Sequence, residues 1–159
     1  MRRTSITKTT ITKPRYWIGI DTGVNTGYAI WDRIEKKFTN VETGKIHQAM
    51  FVIKNKVDEH GIEWFNQNFF MVIEDARKRK FDPGMTDAKR MGAGYVKRDA
   101  VVWEDFLTEL GVNFKMVAPN GRSNDFAKAK NLKLWQSNCG WTKQTSEHAR
   151  CAAMLVWGN

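Results

Sequence analysis

The sequence has few cysteines and no long apolar run, and both shortages exclude classes of protein. Cys139 and Cys151 are the only cysteines among the 159 residues, too few for a disulfide framework and not spaced as zinc ligands. No apolar run reaches the roughly 20 residues that a membrane-spanning helix requires. The basic N-terminus is not followed by an apolar segment, so we expect no secretory signal. These absences favour a cytoplasmic protein in a reducing compartment.

Acidic residues are also scarce relative to basic ones. The chain contains 17 Asp and Glu against 26 Lys and Arg, a net charge of +9. A small domain this basic favours a polyanionic partner, because each phosphate that it neutralises releases counterions. Solubility is the simpler explanation of the charge, and charge alone does not separate the two. The 42% hydrophobic content is sufficient for an ordinary packed core.

The distribution of these residues predicts one domain with a basic extension. Residues 1–15 are rich in threonine and carry five basic residues and no acid. We interpret them as a flexible arm, which either binds nucleic acid or is a solvated tail. Residues 16–159 contain no internal repeat or low-complexity linker, and their length suits a single domain.

Hydrophobic periodicity predicts the secondary structure of that domain. Short apolar runs predict strands, and apolar residues that recur every three or four positions predict helices. The predicted strands are residues 16–21, 27–32, 37–42, 69–73 and 114–118, and the predicted helices are 44–60, 86–110, 125–135 and 147–157. Short connections between the first three strands favour an antiparallel meander. The order predicts an α/β fold, a mixed five-stranded sheet flanked by helices.

The long predicted helix has two features of its own. An apolar stripe between Trp103 and Leu110 is expected to pack in the core, with a dimer interface as the alternative. Gly92 and Gly94 each cost about 1 kcal/mol relative to Ala inside a helix. We expect close helix packing as the reason for them, with close approach to a backbone or ligand as the less common alternative.

Two acidic residues stand where an apolar strand ends. Asp21 follows the apolar run of residues 16–20, and Glu74 follows that of residues 69–73. Two buried carboxylates at one sheet edge would require a proton or a cation between them. Carboxylate oxygens suit Mg²⁺ or Mn²⁺, and two such ions about 4 Å apart support phosphodiester cleavage. The alternative is that strand-end acids cap turns or helices, which is the explanation we favour for Asp75.

Four short motifs together resemble a known family. They are GIDTG at residues 19–23, VIE at 72–74, MGAG at 91–94 and EHARCAAML at 147–155. Each is weak alone, but their order and spacing over residues 17–158 are similar to the RuvC family of Holliday-junction resolvases in the ribonuclease H superfamily, especially its small phage-type members. The resemblance implies a ribonuclease H-like fold. It also implies a homodimeric, metal-dependent endonuclease that nicks two strands of a four-way DNA junction symmetrically.

The resemblance implies roles for individual residues. In the family, the acids that end the first and fourth strands bind metal, which corresponds to Asp21 and Glu74 here. The last helix supplies a further acid, at position 151, with a His or Asp three residues earlier, which is His148. Two Mg²⁺ or Mn²⁺ ions are expected in the active form.

Position 151 departs from the family pattern, because it holds Cys151 where the pattern has Asp. A thiol is a soft ligand with an ordinary pKa of about 8.5, poorly matched to Mg²⁺. Glu147 lies one helical turn earlier on about the same face and is a candidate to supply the missing oxygen. Otherwise the chain is an inactive variant, natural or engineered, that holds DNA and cuts it slowly or not at all. The candidate metal ligands are Asp21, Glu74, Glu147 and His148, and the candidate catalytic residues are Asp21, Glu74, His148, Cys151, Lys128 and Lys130.

Basic side chains near the predicted metal edge are expected to position the DNA. One cluster follows the fourth strand, and the other follows the fifth, where the family carries a lysine that assists catalysis; Lys128 and Lys130 both qualify for that role. The predicted DNA-binding residues are Arg77, Lys78, Arg79, Lys80, Arg122, Lys128, Lys130 and Lys133. A charge run is also the ordinary form of a solvated surface. Phe81, beside the first cluster, is either a wedge against a base or an anchor in the core.

The same features allow other functions. A non-catalytic protein that binds branched DNA shares every feature except turnover, and Cys151 favours it. A ribonuclease H that cleaves RNA–DNA hybrids has a related fold, but the motifs at residues 91–94 and 147–155 fit the resolvase better. An enzyme of the actin and sugar-kinase type would need well over twice this length.

Overall fold

A computed structural model of the chain describes residues 13–79 and 83–159. The strands are β1 (Tyr16–Asp21), β2 (Asn25–Asp32), β3 (Lys37–Lys45), β4 (Phe69–Glu74) and β5 (Phe114–Val117). The helices are α1 (Ile46–His60), α2 (Ile62–Asn68), α3 (Asp87–Leu110), α4 (Gly121–Phe126), α5 (Leu132–Cys139) and α6 (Glu147–Met154). All five predicted strands are present, whereas α2 is not among the predicted helices. None of these described helices is long and apolar enough to cross a membrane.

The five strands form one mixed sheet in the order β3-β2-β1-β4-β5. β1, β2 and β3 pair antiparallel, which confirms the predicted meander. β4 runs parallel to β1, with Ile73 opposite Ile20, and β5 runs parallel to β4. The carboxyl ends of β1, β4 and β5 therefore meet at one edge of the sheet, together with the start of β2 and the end of β3.

The helices cover both faces of the sheet, because side chains alternate along each strand. Ile18 and Ile20 of β1 pack with Trp103 on the face that α1 and α3 cover. Trp17 and Gly19 belong to the opposite face, which α5 and α6 cover. We call these the α3 face and the α6 face. The predicted sheet flanked by helices is confirmed.

The long helix α3 begins and ends close to the predicted positions. Thr86 caps its start, where the hydroxyl accepts from the Lys89 backbone N–H. Gly111 ends the helix in the left-handed conformation at φ 76°, which glycine adopts without a steric penalty. Trp103 and Leu107 are fully buried, which confirms core packing of the apolar stripe.

The first half of α3 lies on the surface. A Cβ added to Gly92 or Gly94 meets no heavy atom of the described residues within 4 Å. Met91 and Tyr95, on either side of these glycines, are 64% and 54% exposed. The expectation of close helix packing at Gly92 and Gly94 is therefore wrong within the described part of the chain, because this part of the helix is exposed to solvent.

The basic segment after β5 is not the single helix predicted for residues 125–135. It forms two separate helices, α4 and α5, joined by a turn in which Lys128 is extended with ψ 155°. The buried guanidinium of Arg150 donates from Nε to the Ala127 carbonyl oxygen at 2.5 Å. The Ala127 carbonyl oxygen is therefore engaged in a tertiary contact. The helical periodicity of the sequence does not predict such a contact.

Arg15 binds the start of the described chain to the end of β2 in the antiparallel meander. Its guanidinium donates to both carboxylate oxygens of Asp32, with a shortest N–O distance of 2.7 Å. Arg33, which follows Asp32, donates to the Pro14 carbonyl oxygen at 3.1 Å. Residues 1–12, which make up most of the predicted arm, lie outside the described residues.

Candidate metal and DNA site

The parallel pairing of β1 with β4 brings two carboxylates to the same edge of the sheet. Asp21 ends β1 and Glu74 ends β4, and their side chains are 14% and 6% exposed. Burial raises the pKa of Glu74, and the nearby charge of Asp21 raises that pKa further. The two acids are therefore close enough to repel each other, as the strand ends in the sequence predict.

Two glycines allow α6 to lie directly on the sheet beside these acids. A Cβ added to Gly19 of β1 would come within 2.1 Å of the Ala152 carbonyl oxygen. A Cβ added to Gly27 of β2 would come within 2.0 Å of the His148 carbonyl oxygen. No larger side chain fits at either position unless the helix moves away. The sequence motif includes Gly19, but the local sequence assigns no role to Gly27.

The docked helix places His148 against Asp21. The imidazole Nδ1 lies 3.0 Å from Asp21 Oδ2, and about half of the His148 side chain is exposed. The hydrogen bond with Asp21 raises the pKa of His148, although burial opposes the shift. Ser146 caps the helix as predicted, since its hydroxyl accepts from the Ala149 backbone N–H. The first turn of α6, which carries the imidazole, is therefore anchored at its start.

Three neighbouring groups hold Glu74 in place. Asn124 of α4 donates from Nδ2 to Glu74 Oε2 at 3.2 Å, and Arg79 Nη2 lies 3.9 Å from Oε1. Both contacts lower the pKa of Glu74, but by less than burial and Asp21 raise it. The Thr22 hydroxyl donates to the Glu74 carbonyl oxygen at 3.1 Å. Arg79 is among the predicted DNA-binding residues and Thr22 lies in the motif at residues 19–23, whereas nothing in the local sequence marks Asn124.

Cys151 lies on α6, near the carboxylates of Asp21 and Glu74. Its side chain is buried, and burial raises the pKa of the thiol to about 12, with Asp21, Glu74 and Glu147 acting in the same direction. The thiol is therefore protonated at neutral pH and offers a soft, neutral sulfur where the family pattern has a carboxylate. Glu147 is exposed and close enough to affect that pKa, so its role as an alternative metal ligand stays a prediction.

The chemistry of these donors fits one hard cation better than two. The carboxylates of Asp21 and Glu74 suit Mg²⁺ or Mn²⁺, which commonly take one or two protein carboxylates and complete their shell with water and phosphate. A cation between them would also relieve the repulsion that raises the pKa of Glu74. Within residues 13–79 and 83–159, however, no three His, Cys, Asp or Glu side chains are grouped to hold a metal ion. The neutral thiol of Cys151 does not complete a two-ion centre.

Arg77, in the first basic cluster, belongs to the α3 face. Its guanidinium binds Asp75 Oδ1 at 2.7 Å and Glu104 Oε2 at 2.7 Å. Asp75 also accepts from the Arg77 backbone N–H, which caps the turn after β4 and confirms the structural role expected for this acid. Two carboxylates therefore already occupy Arg77, and the DNA-binding role predicted for it stays a prediction.

Lys78 and Arg79 of the first cluster have different partners. Lys78 donates to the Met116 carbonyl oxygen of β5 at 2.7 Å. Arg79 is half exposed and lies beside the Glu74 carboxylate. Lys80 and Phe81 lie outside the described residues, so the predictions made for them are not addressed by the structure.

Two lysines of the second basic cluster bind the same acid, Asp125. Lys128 and Lys130 lie 3.2 Å and 3.1 Å from the same Asp125 oxygen, and hydrogen bonds from both lower the pKa of Asp125, Lys130 more strongly. Arg122 and Lys133 are exposed. Nothing in these contacts favours Lys128 over Lys130 as the lysine that assists catalysis.

Comparison with known proteins bears on the fold. No family model matches the sequence, and no curated protein matches it. Among solved structures, the chain is similar to T. thermophilus RuvC in complex with a Holliday junction substrate, with a TM-score of 0.50 and 14% sequence identity over 88% of each chain. The fold is ribonuclease H-like. At this identity the similarity establishes the fold alone, and it confirms the fold class predicted from the sequence.

Four predicted site residues come together at this edge of the sheet. They are Asp21 and Glu74 at the strand ends and His148 and Cys151 on the helix that packs against them. The catalytic and metal-binding roles assigned to them from the sequence stay predictions.

Proposed function

We propose that the chain is a divalent-metal-dependent endodeoxyribonuclease of the RuvC type that acts on four-way or otherwise branched DNA, with its activity limited by Cys151. The observation that carries this proposal is the meeting of Asp21, Glu74 and His148 on a ribonuclease H-like fold. The net charge of +9 suits a DNA substrate. The similarity in fold to a RuvC protein bound to a Holliday junction supports the same substrate class.

Asp21 and Glu74 would hold Mg²⁺ or Mn²⁺ in this proposal. When bound, the ion supplies positive charge for the phosphate oxygens and lowers the pKa of a bound water. Asn124 and Arg79 orient the Glu74 carboxylate through its two oxygens. Arg79 is exposed enough to contact a substrate phosphate beside these carboxylates as well.

His148 is suited to move a proton during the reaction. Hydrolysis forms a bond from a water oxygen to phosphorus and breaks the bond to the leaving sugar oxygen, which acquires a proton. The raised pKa of His148 favours the protonated imidazole, and Asp21 binds its Nδ1 atom. Nε2 is then the nitrogen that would donate to the leaving oxygen.

Cys151 favours a second candidate, a protein that binds branched DNA without cutting it. The buried, protonated thiol gives a hard cation no charge and no oxygen. A chain with this substitution would keep its phosphate contacts and lose much of its turnover, because metal binding and DNA binding rest on different residues.

The finer features of the proposal come from the sequence resemblance. We propose a homodimer, in which two copies of the site act on two strands of one junction. We also propose that the chain is of the small phage-type class and acts in the cytoplasm, which would be that of the host for a phage-encoded protein.

Cleavage of a labelled four-way junction in Mg²⁺ or Mn²⁺ tests the proposal. The unchanged protein and Cys151→Asp are compared side by side, with duplex DNA and an RNA–DNA hybrid as control substrates and Asp21→Asn as the inactive control. We expect junction-selective nicking that Asp21→Asn abolishes. Cys151→Asp should cut roughly 100-fold faster or more, because a third carboxylate strengthens the metal site.

Each outcome separates the candidates. Cleavage by Cys151→Asp alone would assign the unchanged chain to the non-catalytic candidate on a resolvase scaffold. Junction binding without cleavage by either protein would reject the nuclease. Preferential cleavage of the hybrid would replace the resolvase with a ribonuclease H.

A further inference from the structure

The pairing register of the meander places a lysine to one side of the two carboxylates and two residues beyond their level. Lys45 ends β3 and lies opposite Asn25, the first residue of β2. Asn25 is two residues before Gly27, which faces α6, so Asn25 and its partner Lys45 project on the α6 face as well. The edge of the sheet therefore presents Lys45, Asn25, Asp21 and Glu74 in that order, on β3, β2, β1 and β4.

The ammonium of Lys45 is held in place but not neutralised. Its Nζ donates to Asn25 Oδ1 at 2.7 Å, and a neutral amide oxygen leaves the charge intact. Glu42, an acid on the same strand, is bound to Tyr28 and Asn40 instead. Among the residues that the structure describes, Lys45 has no carboxylate partner, so its full charge is free to act on an anion.

The backbone of Lys45 is also fixed. Its N–H donates to Gln48 Oε1 at 2.8 Å, and α1 begins at the next residue with no acid in its first turn. The lysine therefore projects from a rigid junction of strand and helix.

Other cations near the site differ from Lys45 in their partners. Lys128 and Lys130 share the carboxylate of Asp125, and Arg79 lies beside Glu74. Arg79 and Lys45 stand on opposite sides of the carboxylate pair, one following β4 and the other ending β3. The site thus has a cation on each flank.

Strand spacing fixes the scale of this arrangement. Neighbouring strands lie about 4.8 Å apart, and β3 is two strands away from β1. Lys45 also lies two residues beyond Thr43, which is level with Asp21, so the Cα atoms of Lys45 and Asp21 are roughly 12 Å apart. A phosphate at Lys45 is therefore not the phosphate that is cut, but a neighbour of it on the same DNA strand.

We propose that Lys45 binds a backbone phosphate of the substrate strand on the side of the carboxylates opposite to Arg79, with Asn25 as the positioning residue for its ammonium. The inference rests on the proposed function, because it takes DNA as the substrate. The DNA strand then crosses the sheet edge from the β4 side to the β3 side, and the scissile phosphate lies at Asp21 and Glu74.

A lysine on an edge strand also has a structural explanation, since charge there discourages pairing with another sheet. Lys37 offers the matched control for that explanation. It begins the same strand, at the end remote from the carboxylates, and it lies 3.7 Å from Glu35. Protection of the edge would involve both lysines, whereas a phosphate contact would involve Lys45 alone.

Fluorescence anisotropy with a labelled four-way junction and a matched duplex, over a series of NaCl concentrations without divalent ions, tests the proposal. Lys45→Ala should weaken binding roughly five- to tenfold at about 0.1 M salt and reduce the slope of log K against log salt by about one. Lys45→Arg, which keeps the charge, should bind nearly as well as the unchanged protein, and Lys37→Ala should not differ from it. Asn25→Ala should weaken binding less and leave the slope unchanged.

Equal affinity and equal salt slope for Lys45→Ala and Lys37→Ala would overturn the proposal. Equal binding of duplex and junction by the unchanged protein would contradict the junction selectivity of the proposed function. The affinities of Lys45→Ala and Lys37→Ala could still be compared on either DNA, so this outcome would leave the test of Lys45 intact. No binding to either DNA would overturn both. Thermal melting checks that each variant is folded, and Lys45→Gln replaces Lys45→Ala if the alanine variant is not.

Discussion

Glu74 and Asp75 are neighbours in sequence but lie in opposite environments. Glu74 belongs to the α6 face, where burial and the charge of Asp21 raise its pKa. Asp75 belongs to the α3 face, where hydrogen bonds from Arg77 lower its pKa. Both acids are buried, so burial alone does not separate a candidate metal ligand from a structural acid. The difference lies in the charged neighbours: Arg77 binds Asp75 at 2.7 Å, whereas Arg79 lies 3.9 Å from Glu74 and the like charge of Asp21 opposes it.

These different neighbours are the reason why Glu74 is proposed to bind a cation and Asp75 is not. A carboxylate already satisfied by a guanidinium gains little from a metal ion. A carboxylate left beside a like charge gains much more, since a cation removes the repulsion. Substitutions at these two neighbouring positions should therefore have different consequences.

Glu74→Gln is expected to have the largest effect. The amide keeps the size of the side chain and removes the charge that would bind the cation. In the Cys151→Asp background, junction cleavage should fall roughly 100-fold or more, as measured by single-turnover kinetics. The free energy of unfolding should be unchanged or slightly higher, because the repulsion from Asp21 is removed. A large loss of stability would place Glu74 in the same structural class as Asp75.

Asp75→Asn is expected to destabilise the fold and leave metal binding intact. Loss of one partner from a buried ion pair costs about 3–5 kcal/mol, but Arg77 is 34% exposed, so water reduces the expected loss to about 1–3 kcal/mol. Urea denaturation measures it. Glu104→Gln is the control, since it removes only the outer partner of Arg77 and should cost less. An unchanged free energy of unfolding for Asp75→Asn would contradict the assignment.

Asn124→Ala should weaken the candidate metal site without unfolding it. Asn124 donates to Glu74 Oε2 at 3.2 Å, and loss of a group that orients a metal ligand lowers metal affinity by about tenfold. Isothermal titration with Mn²⁺ measures the change. Ser123→Ala, one residue earlier in the same helix, is the matched control, and equal affinities for the two variants would remove Asn124 from the site.

The smallest expected effect is a difference in the sign of the pH dependence. In the absence of divalent ions, the raised pKa of Glu74 means that its contribution to stability falls as pH rises from 4.5 through the raised value. The lowered pKa of Asp75 means that its contribution is present above 3.8 and is lost as pH falls below it. Urea denaturation of the unchanged protein, Glu74→Gln and Asp75→Asn over this pH range checks both signs. The same sign for both acids would contradict the comparison.

The features that the sequence predicts well depend on local signals. Apolar runs that end in an acid identify β1 and β4, and Thr86 and Gly111 mark the ends of α3. These signals act over a few residues, so they survive without knowledge of the tertiary structure. They are enough to predict the fold class and to bring Asp21 and Glu74 to one sheet edge.

The features that the sequence does not predict depend on contacts between distant segments. Gly27 matters because α6 crosses β2 at that point, and Lys45 matters because the register of β3 sets its face. Asn124 approaches Glu74 across 50 positions of sequence. Arg150 binds the Ala127 carbonyl oxygen inside the segment predicted as a helix over residues 125–135, a contact that no periodicity encodes.

Cys151 is predicted in part by the sequence and in part only by the structure. The sequence resemblance predicts an Asp at this position, but it does not show what state the cysteine side chain adopts. Burial beside the carboxylates raises the pKa of its thiol to about 12, so the sulfur is neutral at physiological pH. The expected loss of metal affinity follows from that state and not from the change of residue type alone.

The central claim is that the edge formed by Asp21 and Glu74 binds a divalent cation. Titration of the protein with Mn²⁺, followed by electron paramagnetic resonance, tests it without DNA or turnover. We predict one bound ion in the unchanged protein, none in Glu74→Gln, one in Asp75→Asn, and tighter binding or a second ion in Cys151→Asp. Equal Mn²⁺ binding by Glu74→Gln and Asp75→Asn would contradict the claim, because the two faces of the strand end would then be equivalent.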